Sequence, residues 1–466
     1  MNNREFDVLI IGSGPAGYVT AIRSAQLGFE TAIVESQKLG GICLNWGCIP
    51  TKAMLRSAEI FTYMQNSKEF GVSAQNIGFN LEEIVNRSKK ISEQLSNGVN
   101  YLLKKNQVTL INGHAQLLSD GNIEIKNDNQ KSIKLIAKHK IIATGARPNA
   151  IPGIKPDGNL IWTYFDALRP SNIPNSILII GAGAIGIEFA SFFNALGTEV
   201  IVVEMLGHIL PNEDREISSL AKKQLESNGI KFFTSTQIRK CIKHSNEITC
   251  YIDIKNKEKK EIKVEKVLSA VGVVGNIEEI GLENLNIKTS NGHIIIDEFG
   301  CTNQSGVYAI GDVAGPPWLA HKAEHEGIVC IENIAGKKPK PLNKMKIPGC
   351  TYCNPQVASV GLTESVALKQ GLKIKIGRFP FHANGKAISM GETFGMIKTI
   401  FDAHSGQLLG AHMIGPEVTE LIHGFVIAMG LETTEEELIK TVFPHPTLSE
   451  MLHESVLEAF DKAIHI

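Results

Sequence analysis

No apolar run in this 466-residue chain is long enough to span a bilayer, which excludes a helical membrane protein as a reading of the sequence. Charge of one sign is missing as well. The 47 Lys and Arg residues are offset by 48 Asp and Glu, a net charge of −1, so there is no electrostatic footprint for nucleic acid or for an anionic membrane surface. Cysteine is sparse, with 8 in all, and only Cys350 and Cys353 form a C-x2-C unit. Without a second cysteine pair nearby, a zinc site is not expected there, and no metal is expected elsewhere. The first strand pattern begins within a few residues of Met1, so no signal or transit peptide is expected and a cytoplasmic location is. A chain of this length is too long for one ordinary core and should form about three domains.

What the chain does contain is a repeated nucleotide-binding pattern. FDVLIIGSGPAGYVTAIRSAQLGFETAIVE reads as a buried strand, a glycine turn, an amphipathic helix and a second strand, with Gly12, Gly14 and Gly17 in G-x-G-x-x-G spacing and Glu35 at the end. Backbone N–H groups at such a helix start can approach a pyrophosphate, and the carboxylate can accept from a ribose hydroxyl. One such match is weak evidence. SILIIGAGAIGIEFASFFNALGTEVIVVE repeats it with Gly181, Gly183, Gly186 and Glu204, and in both units the acidic residue follows the first glycine by 23 positions. The repetition argues for two dinucleotide sites.

Between them, GGICLNWGCIPTK places Cys43 and Cys48 just after the first unit. Two such cysteines could be small packed hydrophobes, as free cysteines often are. In a chain without an export signal, their pairing, if it occurs, should be chemical and reversible rather than a structural staple. Residues five apart on a regular helix lie about 8 to 9 Å apart at Cα, farther than the roughly 4.4 to 6.8 Å that a disulfide needs. A bond between them therefore requires a distorted helix start, which Gly47 and Pro50 permit. The other four isolated cysteines, Cys241, Cys250, Cys301 and Cys330, read as packed structural residues.

The doubled fingerprint and the C-x4-C segment occur with ATGARP at 143–148, YAIGDV at 308–313, LAHKAEHEG at 319–327 and HPTLSE at 445–450. In this order, over essentially the whole chain, these motifs resemble the dihydrolipoamide dehydrogenases, the FAD- and NAD-dependent E3 components of 2-oxo acid dehydrogenase complexes. The resemblance implies an α/β fold with two Rossmann-like dinucleotide-binding domains, one inserted in the other, and a C-terminal α+β dimerisation domain. The expected boundaries are 1–150 and 277–345 for the FAD-binding domain, 151–276 for the NAD-binding domain and 346–466 for the dimer interface. A helix with apolar face Val418, Leu421, Ile422, Phe425 and Met429 is read either as part of that interface or as an ordinary core helix.

The same resemblance assigns roles. Cys43 and Cys48 would form the redox disulfide, with Cys43 exchanging with substrate and Cys48 facing the flavin. His445 would be the base and Glu450 its orienting carboxylate, acting on the active site of the other subunit in a homodimer. Lys52 would lie against the flavin and pair with Glu188. Asp312 would bond the ribityl chain, and Trp318, Leu319, Ala320 and His321 would line the flavin. Ala115, Thr144, Gly145, Ile238 and Gly272 join the cofactor contacts. Duller readings remain beside these: Glu188 as a first-turn carboxylate meeting a helix dipole, and Thr447-x-x-Glu450 as a capping box.

The implied reaction is oxidation of protein-bound dihydrolipoamide, with a lipoyl-bearing acyltransferase (E2) or a glycine-cleavage H protein as partner. Alternatives are a glutathione- or mercuric-reductase-like enzyme and a non-catalytic flavin-bearing component. Glu204 is followed by Met205 and Leu206 rather than by arginines, which favours NAD over NADP. The chain ends FDKAIHI, without the cysteine pair usual in mercuric reductases, and all four of Cys43, Cys48, His445 and Glu450 are present. Departures from the common E3 pattern are Trp46, Val273-Val274-Gly275 and Phe443-Pro444.

Overall fold

The computed structural model describes residues 4–127, 132–255 and 259–466. They divide into two compact units, one formed by 1–54, 82–149 and 272–342, the other by 55–81, 150–271 and 343–466.

The first unit is built on a seven-stranded sheet. Its parallel part runs Thr109–Asn112, Thr31–Glu35, Arg4–Ile11, Ser132–Ile142 and Val307–Ala309 in spatial order. An antiparallel extension, Ile123–Lys126 and His114–Leu117, pairs along Ser132–Ile142. Val8, Leu9 and Ile10 are fully buried, as expected of a parallel strand covered on both faces by crossover segments. The helices Pro15–Gln26, Leu81–Lys105 and Ala320–Ile334 belong to this unit. Ala146–Pro148, where the chain leaves it, pairs antiparallel with Val273–Gly275, where the chain returns.

The second unit contains a five-stranded parallel sheet in the order Lys231–Phe233, Glu199–Val203, Ser176–Ile180, Lys266–Ser269 and Ile161–Trp162. A three-stranded antiparallel sheet, Thr236–Lys243, Ile248–Ile254 and Lys259–Val264, is inserted in the chain between two of its strands, Lys231–Phe233 and Lys266–Ser269. The C-terminal portion is a five-stranded antiparallel sheet, ordered Gly349–Thr351, Gln356–Gly361, Leu408–Gly415, Met396–Asp402 and Ile374–Pro380. The helix Glu450–Ala459 packs on its edge strand so closely that a Cβ at Gly377 would lie 1.7 Å from the Ser455 carbonyl oxygen.

The expected apolar helix is two short ones, Val418–Leu421 and His423–Gly430. Val418, Ile422, Phe425 and Met429 are buried in the core of this portion, beside Phe379, Phe401 and Met451. The core reading therefore holds for that face. Among the described residues, no helix is long and apolar enough to cross a membrane.

Candidate functional site

The two glycine turns are near copies. Gly12 (φ +102°) and Gly181 (φ +103°) occupy the left-handed region, and a Cβ on them would lie 2.3 Å from the Ala143 oxygen and 2.4 Å from the Ala270 oxygen. The third glycines let the helix close on the strand, since a Cβ on Gly17 or Gly186 would lie 1.9 Å or 2.0 Å from the oxygen of the first glycine. The middle glycines differ. A Cβ on Gly14 or Gly183 would have no neighbour within 4 Å, so the space above each helix start is open. Those cradles, at the N-termini of Pro15–Gln26 and Ala184–Ala195, suit a pyrophosphate.

Each acidic residue ties its strand end to its own glycine turn. Glu35 Oε2 accepts from the Ser13 N–H (2.9 Å) and hydroxyl (2.6 Å), and Oε1 accepts from the Gln37 N–H (2.7 Å). Glu204 Oε2 accepts from the Ala182 N–H and Oε1 from the Leu206 N–H, both at 2.7 Å. Each carboxylate oxygen keeps acceptor capacity for a ribose hydroxyl. Beside Glu204 is an open cleft lined by Met205, Ser235, Thr236, Gln237, Arg239 and Asp253, in the chain segment that also carries Ile238. The Thr236 N–H donates to the Glu204 carbonyl at 2.9 Å.

In the first unit the helix Gly41–Trp46 ends at Gly47 (φ −143°, ψ −114°), and a new helix, Cys48–Gln65, begins at once. Cys43 and Cys48 thus lie on either side of a break rather than on one regular helix. The break brings the two side chains into a hydrogen bond, which with burial pushes the Cys43 thiol far above its ordinary value. The Lys52 cation opposes this, and Glu324 adds to it. Glu324 is in turn hydrogen-bonded to Tyr18, whose hydroxyl is pushed up to about 12, chiefly by burial and then by Glu324 and Cys43. Tyr18 and Glu324 were not singled out by sequence reasoning. Glu324 lies inside LAHKAEHEG, but nothing local ties either residue to Cys43.

Asp312 follows the strand Val307–Ala309 in a single turn of 3₁₀ helix, Gly311–Ala314. Burial raises its carboxyl above the usual range, against the pull of Lys322. That lysine, 1% exposed, donates to the carbonyls of Gly311 (3.2 Å) and Gly315 (2.8 Å) and pairs with Glu326 at 3.0 Å. Glu326 Oε2 accepts from the Gly311 N–H at 2.9 Å, so the turn carrying Asp312 is held from both sides. Trp318 is exposed, with its ring 5.9 Å from that of His293. Leu319 is the N-cap residue of the helix Ala320–Ile334, which carries Ala320 and His321. The Thr144 hydroxyl donates to the Asn276 carbonyl at 2.7 Å, and Gly145 takes φ +71°. Ala115 is buried in His114–Leu117, and Gly272 (φ +87°) accepts from the Asn149 N–H.

In the second unit, Glu188 is the fifth residue of Ala184–Ala195, beyond the first turn, so the helix-dipole reading does not apply to it. It is 5% exposed, and its Oε1 accepts from the Tyr352 N–H at 3.0 Å. His445 Nδ1 lies 2.9 Å from Glu450 Oε1. The other Glu450 oxygen accepts from the Thr447 N–H at 2.8 Å, but the helix starts at Glu450 and the Thr447 hydroxyl donates to Pro444. Only half of the expected capping box is formed. Burial raises the Glu450 carboxyl, yet the Thr447 N–H and the His445 ring hold it below its ordinary value. The His445 side chain is 79% exposed, and its contact with Glu450 is made through Nδ1.

Among the described residues, no group of His, Cys, Asp or Glu could hold a metal ion. Cys350 lies in the strand Gly349–Thr351, and the buried Cys353 thiol contacts the Pro355 carbonyl at 3.0 Å. Cys241 and Cys250, read as separate packing residues, are brought face to face.

Comparison with known proteins gives a consistent picture. The family model for pyridine nucleotide-disulphide oxidoreductases matches residues 6–327, and that for their dimerisation domain matches residues 347–456. The chain is 54% identical to a dihydrolipoyl dehydrogenase of Rhizobium etli over 99% of both chains. It is 50% identical to one of Zymomonas mobilis, again over 99% of both. Among solved structures it is similar to LpdA of Mycobacterium tuberculosis, with a TM-score of 0.91 at 23% identity over 97% of this chain and 99% of that one. A HOCl-induced flavoprotein disulfide reductase of Escherichia coli superposes with a TM-score of 0.87 at 24% identity, over 98% and 99% of the two chains. The last two likenesses concern the fold.

Proposed function

The chain belongs to the pyridine nucleotide-disulphide oxidoreductase family, and from that premise we propose that it oxidises protein-bound dihydrolipoamide to lipoamide through Cys43 and Cys48, with FAD and NAD as its cofactors. The observation that carries the reading is the Cys43–Cys48 contact across the helix break, in a chain whose two glycine cradles are both open to a dinucleotide.

In this reading His445 Nε2 removes a proton from one substrate thiol, while Glu450 holds Nδ1–H and favours the resulting imidazolium. The thiolate attacks Cys43 Sγ of the oxidised pair; a substrate–Cys43 bond forms, the Cys43–Cys48 bond breaks and Cys48 leaves as thiolate. The second substrate thiol then closes the lipoyl ring and expels Cys43, so both cysteines are reduced. FAD and NAD, when bound, supply the redox chemistry that returns this electron pair to NAD⁺ as hydride. Gly12, Gly14, Gly17 and Glu35, with Thr144, Gly145 and Asp312, would hold FAD. Gly181, Gly183, Gly186, Glu204 and Ile238 would hold NAD. Lys52, whose cation acts on the Cys43 thiol, would supply positive charge beside the cysteines and the flavin.

The protein works as a homodimer, given its dimerisation segment at 347–456. His445 would serve the opposite subunit's cysteines, in the cytoplasm. The partner that presents the lipoyl group would be an E2 acyltransferase or a glycine-cleavage H protein. Formation of NADH from dihydrolipoamide and NAD⁺ tests the reaction, and a pull-down with candidate lipoyl-bearing subunits tests the partner. Absence of NADH with FAD-loaded protein would reject the reaction.

A further inference from the structure

The strands Thr236–Lys243 and Ile248–Ile254 form a hairpin in which Cys241 and Cys250 are direct cross-strand partners. Their sulfurs lie 3.5 Å apart, within hydrogen-bonding distance. Directly opposed residues of an antiparallel pair have Cα atoms about 4.5 to 5.5 Å apart. That range falls inside the roughly 4.4 to 6.8 Å that a disulfide accepts, so the backbone need not move for the sulfurs to bond. Neither cysteine belongs to the proposed redox pair, and no role assigned above uses them.

We propose that Cys241 and Cys250 are a second, peroxide-oxidisable dithiol of this protein, closing reversibly to a cross-strand disulfide.

The two thiols are chemically unequal. Cys250 is fully buried among Ile238, Ile252 and Ile262, whereas Cys241 is only partly buried. The hydrogen bond from Cys250, opposed by burial and aided by the Lys243 cation, holds Cys241 below the ordinary thiol range. The same bond, with burial, pushes Cys250 up. Cys241 is therefore the nucleophile and Cys250 the resolving thiol. With a hydroperoxide as oxidant, the Cys241 thiolate attacks oxygen and the O–O bond breaks, giving a sulfenic acid and, after proton uptake, water. Cys250 then loses its proton and attacks the Cys241 sulfur; the S–O bond breaks, a second water leaves and the S–S bond forms. Two thiols lose two electrons and two protons, and hydrogen peroxide becomes two waters.

The closed form would clamp the hairpin beyond its bulge between Ile238 and Lys240, where Arg239 bonds Asp253 at 2.5 Å. Arg239 and Asp253 also line the cleft beside Glu204.

The test is peptide mapping of the FAD-loaded full-length protein after hydrogen peroxide treatment, with alkylation of the remaining thiols before digestion. The expected product is an unalkylated 241–250 linkage that dithiothreitol converts to two alkylated cysteines. In Cys250→Ser, Cys241 should accumulate as a dimedone-reactive sulfenic acid. In Cys241→Ser, Cys250 should stay alkylatable. Full alkylation of both residues after peroxide, or conversion of Cys241 to sulfinic acid with Cys250 untouched, would overturn the proposal. A Cys43→Ser/Cys48→Ser protein must give the same 241–250 linkage; its loss there would show that the oxidising equivalents come through the other pair and would equally overturn it.

Discussion

Glu450 holds His445 Nδ1 at 2.9 Å with one oxygen while its other oxygen accepts from the Thr447 N–H at 2.8 Å. One carboxylate thus fixes both the ring and the turn that presents it. Loss of a general base typically costs about 10² to 10⁴-fold in rate. His445→Ala should therefore depress dithiol oxidation by that order while sparing NADH oxidation by an acceptor that draws on the flavin directly. Glu450→Gln should give a milder loss of the same kind. Stopped-flow measurement of the two half-reactions separates these outcomes, and equal slowing of both would mean a folding or dimer defect.

Glu204 is already committed to the Ala182 and Leu206 N–H groups, is followed directly by Met205 and Leu206, and the Arg239 of the neighbouring cleft is paired with Asp253. NAD⁺ should be preferred over NADP⁺ in steady-state kinetics, and Glu204→Gln should narrow the preference mainly through KM. Equal use of both cofactors by the unaltered protein would defeat this assignment.

Gly183 and Gly186 make opposite demands. A Cβ on Gly183 meets no protein atom within 4 Å, so Gly183→Ala should leave Tm unchanged and raise the KM for NAD⁺, because the methyl occupies the dinucleotide's approach. A Cβ on Gly186 would lie 2.0 Å from the Gly181 oxygen, and Gly186→Ala should lower Tm as well as NAD⁺ affinity. Thermal melts of the two variants, each with its KM, make the comparison.

Glu213 is half-buried, with its Oε2 shut away from solvent and unpartnered, and this burial, with Asp214 beside it, pushes its carboxyl up to about 7. A folded-state pKa above the unfolded value of about 4.3 means the native state binds the extra proton, so this group's stabilisation is present at low pH and is lost as pH rises through about 7. Glu213→Gln should remove that loss and raise Tm at pH 8 by a few degrees, with little effect near pH 5. A Tm difference independent of pH would contradict it.

The glycine turns were legible because their constraint is local: each first glycine needs its left-handed backbone and each third its contact five residues back, and both demands are written in spacing. The pairing of His445 with Glu450 was legible for the same reason, being five residues long. The duller reading of Glu188, as a first-turn carboxylate, fails because the helix starts at Ala184, and its hydrogen bond from the Tyr352 N–H, 164 positions away, leaves no local mark in the sequence. Cys241 and Cys250 looked like isolated packing residues because only the hairpin register sets them opposite each other. The face of Val418 and Phe425 had the same pattern whether it meets a partner or its own core, and here it meets its own core.

The most direct measurement follows NADH when dihydrolipoamide and NAD⁺ are mixed with the FAD-loaded protein, alongside Cys43→Ser and Cys48→Ser. The unaltered protein should form NADH and, on two-electron reduction, develop a long-wavelength absorbance from a thiolate beside the flavin that Cys48→Ser lacks. Both variants should fail to form NADH while still oxidising NADH with an artificial acceptor; NADH formation at the unaltered rate by either one would contradict the account.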